Sequence, residues 1–300
     1  MSADEADEPS GVLDRLGERL MAALPDSVRE LDAVIGERLV RIPTSLNEYG
    51  VDRFGMEPQS VRRQLLPGAL LYRHYFRAET HGIERVPAGR VLLIANHAGQ
   101  LPFDAMMLSV AMLLEAEPPR LARGLGEYWI PRLPFVSSAA TRMGGLVGTP
   151  ENCRALLDAE ECVMVFPEGV RGMNKTFRER YRLQRFGTGF VRLALETRTP
   201  IVPVGIVGSE EQQPGLFDLK PLARLLGMPA FPITPTFPLL GPLGLLPLPV
   251  KYRIHFGEPI RFAGSASEED AAIESRIAEV RTAIDKLLEA GRRQRQSIFS

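Results

Sequence analysis

Three short apolar runs, each stopped by a polar turn, constrain this chain more than any other feature: Val91–Ala95, Val163–Phe166 and Pro200–Gly208. Runs of this length without polar alternation fit strands buried on both faces of a parallel sheet. A helical pattern from Phe186 to Thr197 separates the second run from the third, and parallel neighbours need such a crossover. Chemistry-bearing residues gather where the runs stop. The first leads into Asn96-His97-Ala98-Gly99, after which Asp104 opens the apolar helix Ala105–Leu114; the second leads into Pro167-Glu168-Gly169-Val170-Arg171. Ligands of open parallel sheets bind at the carboxyl ends of strands, so both segments are expected at one edge. Asp104 has two readings there, as the N-cap of its helix or as a partner of the imidazole.

Taken in this order, Asn96-His97 with Asp104, Phe166-Pro167-Glu168-Gly169-Val170-Arg171 and Ile201-Val202-Pro203-Val204 resemble the glycerolipid and lysophospholipid acyltransferase family, over roughly residues 78 to 262. The resemblance implies that His97 acts as general base on an acceptor hydroxyl, that Asp104 orients it, and that Glu168, Gly169 and Arg171 bind the acceptor. The chain departs from the family pattern twice. Six residues, Ala98 to Phe103, separate His97 from Asp104 where the pattern has four. The arginine usual after the middle glycine motif has no counterpart in Met143–Asn152, and Arg142 lies before Gly144-Gly145 instead. Further on, Tyr181-Arg182-Leu183 with Gly189-Phe190 resembles the branch of the superfamily that includes neutral-lipid and diacylglycerol acyltransferases.

With 300 residues, 45% of them apolar, the chain can bury one large core. The alternation of strands and helices predicts an α/β fold: a mostly parallel central sheet flanked by helices, with N-terminal helices and a C-terminal amphipathic helix. The expected divisions are a helical region over 1–77, an acyltransferase domain over 78–262, and the terminal helix with its basic tail over 263–300. A net charge of −1 argues against a nucleic-acid partner, whose phosphates need a basic surface. Cys153 and Cys162 have neither metal nor redox spacing and read as buried thiols of a reducing compartment. His74, His81, His97 and His255 show no ligand spacing either, so neither a metal nor a bound cofactor is expected. The acidic start lacks the pattern of a secretion signal, and no window offers the roughly 18–20 apolar residues that span a bilayer. A cytoplasmic protein in peripheral contact with the cytoplasmic face of the membrane is expected.

Other elements are read from periodicity and punctuation. Residues 10 to 24 have one apolar helical face, and Ser27-Val28-Arg29-Glu30 has the spacing of a capping box. Pro67 is expected to interrupt or kink the helix from Ser60 to Arg77. Thr80–Pro87 and Arg120–Gly124 read as strands, Pro131–Arg142 as a short helical region, and Thr149-Pro150-Glu151 as a helix start. The proline-rich segment from residue 231 to 250 cannot be a helix, and Leu243, Leu245 and Leu246 are expected to reach lipid. Lys251–Phe256 alternates as a strand, and Ser267–Glu289 is the terminal amphipathic helix.

These features predict transfer of a fatty acyl group from an acyl thioester, with acyl-coenzyme A or acyl carrier protein as co-substrate, to a glycerolipid hydroxyl. Direct transfer needs no protein nucleophile, and the near-neutral pKa of an imidazole suits His97 to take the hydroxyl proton. Backbone amides near Gly99 would meet the oxyanion. The guanidinium of Arg171 suits a phosphate, with help from Lys175 or Arg142, which makes a lysophosphatidate-like acceptor the first expectation. A neutral mono- or diacylglycerol acceptor is the alternative, and a noncatalytic lipid-binding protein on the same fold is another. A hydrolase would need a nucleophile elbow, and Gly208-Ser209-Glu210 lacks its second glycine.

Overall fold

The computed structural model describes residues 24–99, 101–128, 135–225 and 231–300. The helix expected over residues 10 to 24 lies outside these apart from Leu24, as does the first part of the region expected to be helical from Pro131. Helices α1 (Asp26–Val40) and α2 (Pro58–Leu70) precede β1 (Glu79–His81) and β2 (Val91–Ala95). Next come α3 (Phe103–Leu114), β3 (Ala122–Gly126), α4 (Val136–Arg142), β4 (Leu146–Val147), α5 (Pro150–Asp158), β5 (Cys162–Val165) and the single turn α6 (Val170–Met173). The chain continues through α7 (Gly189–Thr197), β6 (Ile201–Val207), β7 (Phe217–Asp218), α8 (Lys220–Leu225), β8 (Pro232–Ile233), β9 (Arg253–Phe256) and α9 (Asp270–Arg293).

Among the described residues the main sheet has seven strands in the order β1-β9-β6-β2-β5-β3-β4. Its pairings are parallel except that of β6 with β9, which is antiparallel. Side chains alternate across it, as the pleat requires. Val91, Leu93 and Ala95 of β2 pack with α1, α2 and α3, whereas Leu92 and Ile94 pack with α5, α7 and α9. The three apolar runs are therefore adjacent central strands covered on both faces. This puts the ends of β2, β5 and β6 side by side.

Local expectations fare differently. Helix α1 starts at Asp26 behind Pro25 with no side-chain cap, so the Ser27–Glu30 box does not form. Asp26 in the first turn complements the helix dipole instead. Pro67 lies inside α2 without ending it. The chain runs on and widens into a π-helical turn over Leu71–Tyr75, closed by Phe76 N–H donating to Leu71 O at 2.7 Å. Thr149 caps α5 by accepting from Asn152 N–H at 3.1 Å, with Pro150 at the first position. The segment Arg253–Phe256 does not alternate in burial but is buried throughout, because α9 covers its second face, with the His255 ring against Gly291. No described helix is long and apolar enough to cross a membrane.

The proline-rich segment forms the second strand of a small antiparallel pair, β7 with β8, and a 3₁₀ turn over Gly241–Leu245. It presents Leu239, Leu240, Leu243 and Leu246 outward at 84%, 58%, 69% and 64% exposure. Leu245 is instead half-buried, and its carbonyl accepts from Gln213 Nε2.

Candidate active site

The site begins where β2 runs out of ladder. Ile94 lies level with Val165 of β5, and Ala95 with Val204 of β6. Asn96 then prolongs the pairing with its side chain: Ile206 N–H donates to Asn96 Oδ1 at 2.7 Å, and Asn96 Nδ2 donates to Ile206 O at 3.1 Å. This fixes the backbone just before His97. His97 Nδ1 lies 2.7 Å from Asp104 Oδ2, an oxygen that also accepts from Ala98 N–H at 2.9 Å. The other oxygen of Asp104 accepts from Ala105 N–H at 2.8 Å. Pro102 occupies the N-cap position of α3, so Asp104 is not the cap but a buried first-turn residue. The longer loop between the two residues thus still closes onto the imidazole, turning at Gly99 with φ +84°.

The segment after β5 grips the same loop from the other side. The buried carboxylate of Glu168 accepts from His97 N–H at 2.9 Å and from Gln184 N–H at 2.7 Å, with Lys175 Nζ 3.3 Å away. Lys175 Nζ lies 2.9 Å from Glu210 as well, and its side chain is almost wholly covered. Gly169 turns with φ +54°. Gly172 is packed so closely that a Cβ there would stand 2.9 Å from the oxygen and the Cβ of His97 and from the Cβ of Glu168. Of the residues singled out from sequence, His97, Asp104, Gly99, Glu168, Gly169 and Lys175 meet at this edge. Arg171 is exposed, and its guanidinium donates to Arg185 O at 3.3 Å.

Burial disfavours the imidazolium of His97, and Lys175 opposes it too, but Asp104 and then Glu168 outweigh both, so the pKa is raised above its ordinary value. The ring stacks on Phe166 with centroids 4.4 Å apart. With Nδ1 facing a carboxylate, the neutral tautomer carries its proton there and leaves Nε2 as the basic nitrogen.

Sequence reasoning missed the run Ser209–Gln213 after β6, every residue of which is buried. Glu210 accepts from Tyr181 N–H at 2.7 Å, and Glu211 accepts from Tyr181 OH at 2.9 Å while pairing with Arg295. Gln212 Oε1 accepts from Tyr252 OH at 2.6 Å; its Nε2 has no partner among the described residues and would stand 2.8 Å from a Cβ on Gly99. Gln213 Oε1 accepts from Leu101 N–H at 3.3 Å. A polar run directly after an apolar strand was the signal available in the sequence.

His97 and Phe166 open onto a cavity of about 710 Å³ whose walls include Leu101, Met106, Met143, Leu146 and Met164. Among the described residues that line it, the ionisable groups are His97 and Glu127. A cavity of this size, mostly apolar with a few polar groups at one end, suits an extended apolar ligand with a reactive head. Among the described residues no cluster of three or more His, Cys, Asp or Glu side chains could hold a metal ion.

A family model described as Acyltransferase matches residues 77–207, a span that contains the His97 loop, the Glu168 segment and β6. An uncharacterised protein of Mycobacterium tuberculosis is 46% identical over 252 residues, covering 82% of this chain and 69% of that protein. The human protein named DGAT1/2-independent enzyme synthesizing storage lipids is 24% identical, over 69% of this chain and 61% of its own length. The crystal structure of the 1-acyl-sn-glycerophosphate (LPA) acyltransferase of Thermotoga maritima covers 80% of this chain and 84% of its own at 17% identity, with a TM-score of 0.48.

Proposed function

The chain belongs to the acyltransferase family, and we propose that it moves a fatty acyl group from a thioester, acyl-coenzyme A or acyl carrier protein, to a hydroxyl of a glycerolipid. The observation that carries this reading is the 2.7 Å hydrogen bond between Asp104 and His97 beside an apolar cavity of about 710 Å³. The acyl chain of the donor occupies the cavity and brings its thioester carbonyl to His97. The acceptor hydroxyl gives its proton to His97 Nε2 as its oxygen attacks that carbonyl. Asp104 holds the imidazole in the right tautomer and favours the imidazolium as it forms. When the carbon–sulfur bond breaks, the imidazolium returns the proton to the departing thiolate, and the base is regenerated.

Glu168 acts here as a positioning residue, because its carboxylate already accepts from the backbone of His97 and Gln184. The backbone amide of Gly99 stabilises the oxyanion. The enzyme works at a lipid surface, where the exposed leucines of the segment from Leu239 to Leu246 enter the interface.

Replacing His97 by Ala tests the reading. Thioester consumption with a glycerolipid acceptor should fall at least about a hundredfold in a variant that keeps its melting temperature. Near-normal turnover by the folded variant would overturn the mechanism. Lipid binding without thioester consumption by the unaltered protein would favour a noncatalytic role.

A further inference from the structure

Gln213 is buried between two segments that are far apart along the chain. Its Oε1 accepts from Leu101 N–H at 3.3 Å, and its Nε2 donates to Leu245 O. Leu101 belongs to the loop after His97, lines the cavity and is 38% exposed. Leu245 lies in the 3₁₀ turn between Leu243 and Leu246, whose side chains face outward. Joining a backbone N–H to a backbone carbonyl through one side-chain tip takes a donor and an acceptor together, which an amide supplies. Gln212 adds to the same junction. Its carbonyl accepts from Leu248 N–H at 2.7 Å, and its Nε2 would stand 2.8 Å from a Cβ on Gly99. The leucine turn is stiff in itself: Thr236 Oγ1 donates to Gly244 O at 2.9 Å, and a Cβ on Gly244 would collide with Thr236 O. A force on Leu243 or Leu246 therefore moves the turn as a unit, and Gln213 is where that unit meets the His97 loop. The Leu101 bond, long for an N–H···O contact, leaves slack on the side of the loop.

We propose that Gln213 is a positioning residue that makes acyl transfer depend on contact with a lipid surface. This deepens the acyl-transfer reading and rests on it. The exposed leucines continue into the cavity through Leu101, and a lipid surface is the occupant that matches both the outer side chains and an apolar chamber behind them. A surface shifts an arrangement only by binding it better than the alternative. Lipid gains most apolar contact when Leu101 lies on the same face as Leu243 and Leu246, the arrangement in which Gln213 holds both segments. The loop that carries His97 and the Gly99 amide is then fixed for reaction, and an acyl chain passes from the lipid into the cavity without crossing water.

The test uses the full chain with a short-chain acyl thioester and a short-chain glycerolipid acceptor, both dissolved as monomers, and adds vesicles of phosphatidylcholine, which has no free hydroxyl to acylate. Unaltered protein should show a several-fold rise in kcat, with a smaller change in KM, over the vesicle concentrations at which it sediments with them. Gln213→Leu keeps the bulk of the side chain and removes its donor and acceptor. It should sediment as the unaltered protein does and show no rise. Hydrogen exchange of the Leu101 amide in unaltered protein is the measurement that needs no variant, and it should slow several-fold when vesicles are added. Sedimentation without a rise in kcat, a rise that persists in Gln213→Leu at unchanged melting temperature, or a Leu101 amide indifferent to vesicles would each overturn the assignment while leaving acyl transfer in place. Failure to consume thioester with or without vesicles would remove the acyl-transfer reading, and the exchange measurement would still decide whether the junction responds to lipid.

Discussion

Asp104→Asn separates two duties of one buried side chain. An amide oxygen can still accept from Ala98 N–H, but an amide cannot favour the imidazolium and can present its NH₂ to His97 Nδ1, selecting the wrong tautomer. The base must be neutral to work, so activity falls as pH drops through the raised pKa of His97. In the variant the largest cause raising that pKa is gone and burial prevails, so the acid limb of kcat/KM should move to lower pH. Its plateau should also fall by about a hundredfold or more. A full pH profile checks both; an unmoved limb would mean that the carboxylate does not govern the imidazole. The His97–Asp104 pair was legible in the sequence because its members are close along the chain. The duties of Glu168 and Gln213 were not, since they reach His97 and Leu101 across 71 and 112 positions.

Among the elements, the central strands could be read because each is an unbroken apolar run covered on both faces. Periodicity failed where coverage was not simple. Arg253–Phe256 has the sequence of a half-exposed strand, yet α9 lies over the His255 ring at Gly291 and Arg253 donates to Ser300 O at 3.0 Å, so its polar residues are buried as well. The proline at position 67 does not end its helix, which runs on to Leu70 and into the π-helical turn over Leu71–Tyr75. The leucine segment was recognised as nonhelical, but which leucines face outward depends on the 3₁₀ turn. Substituting Leu239, Leu243 and Leu246 together by Ser should reduce sedimentation with liposomes by several-fold. The melting temperature should barely change, since exposed side chains contribute little to folding and typical surface substitutions stay within about 0.5 kcal/mol each. A large fall in melting temperature with undiminished sedimentation would assign these side chains to packing instead.

At the level of the whole molecule, the mostly parallel sheet and its helical layers follow from the order of apolar runs and helices, while the reversal of β9 against β6, shared by β1, does not, because it depends on how a long connection returns. That reversal brings His255 alongside Gly205 on β6. Its ring lies near Gly291 of α9 and stacks on His81 with centroids 4.5 Å apart. Burial, His81 and Arg253 lower its pKa to about 4. The unfolded chain, with a histidine pKa of about 6.5, therefore binds this proton more readily than the native one. The stabilising contribution is complete above that pH and is lost as pH falls toward about 4. Melting temperature should decline over this window, and His255→Asn should flatten the decline; an unchanged slope would place the acid sensitivity elsewhere.

The two histidines sit apart, His97 in the loop after β2 and His255 within β9, and their proton affinities are displaced in opposite directions. Mild acid should therefore silence the protein before it loosens it. His97 takes up its proton at a higher pH than His255 does, so on acidification activity should fall first, while the α9 side of the sheet is still intact, and return when the pH is raised.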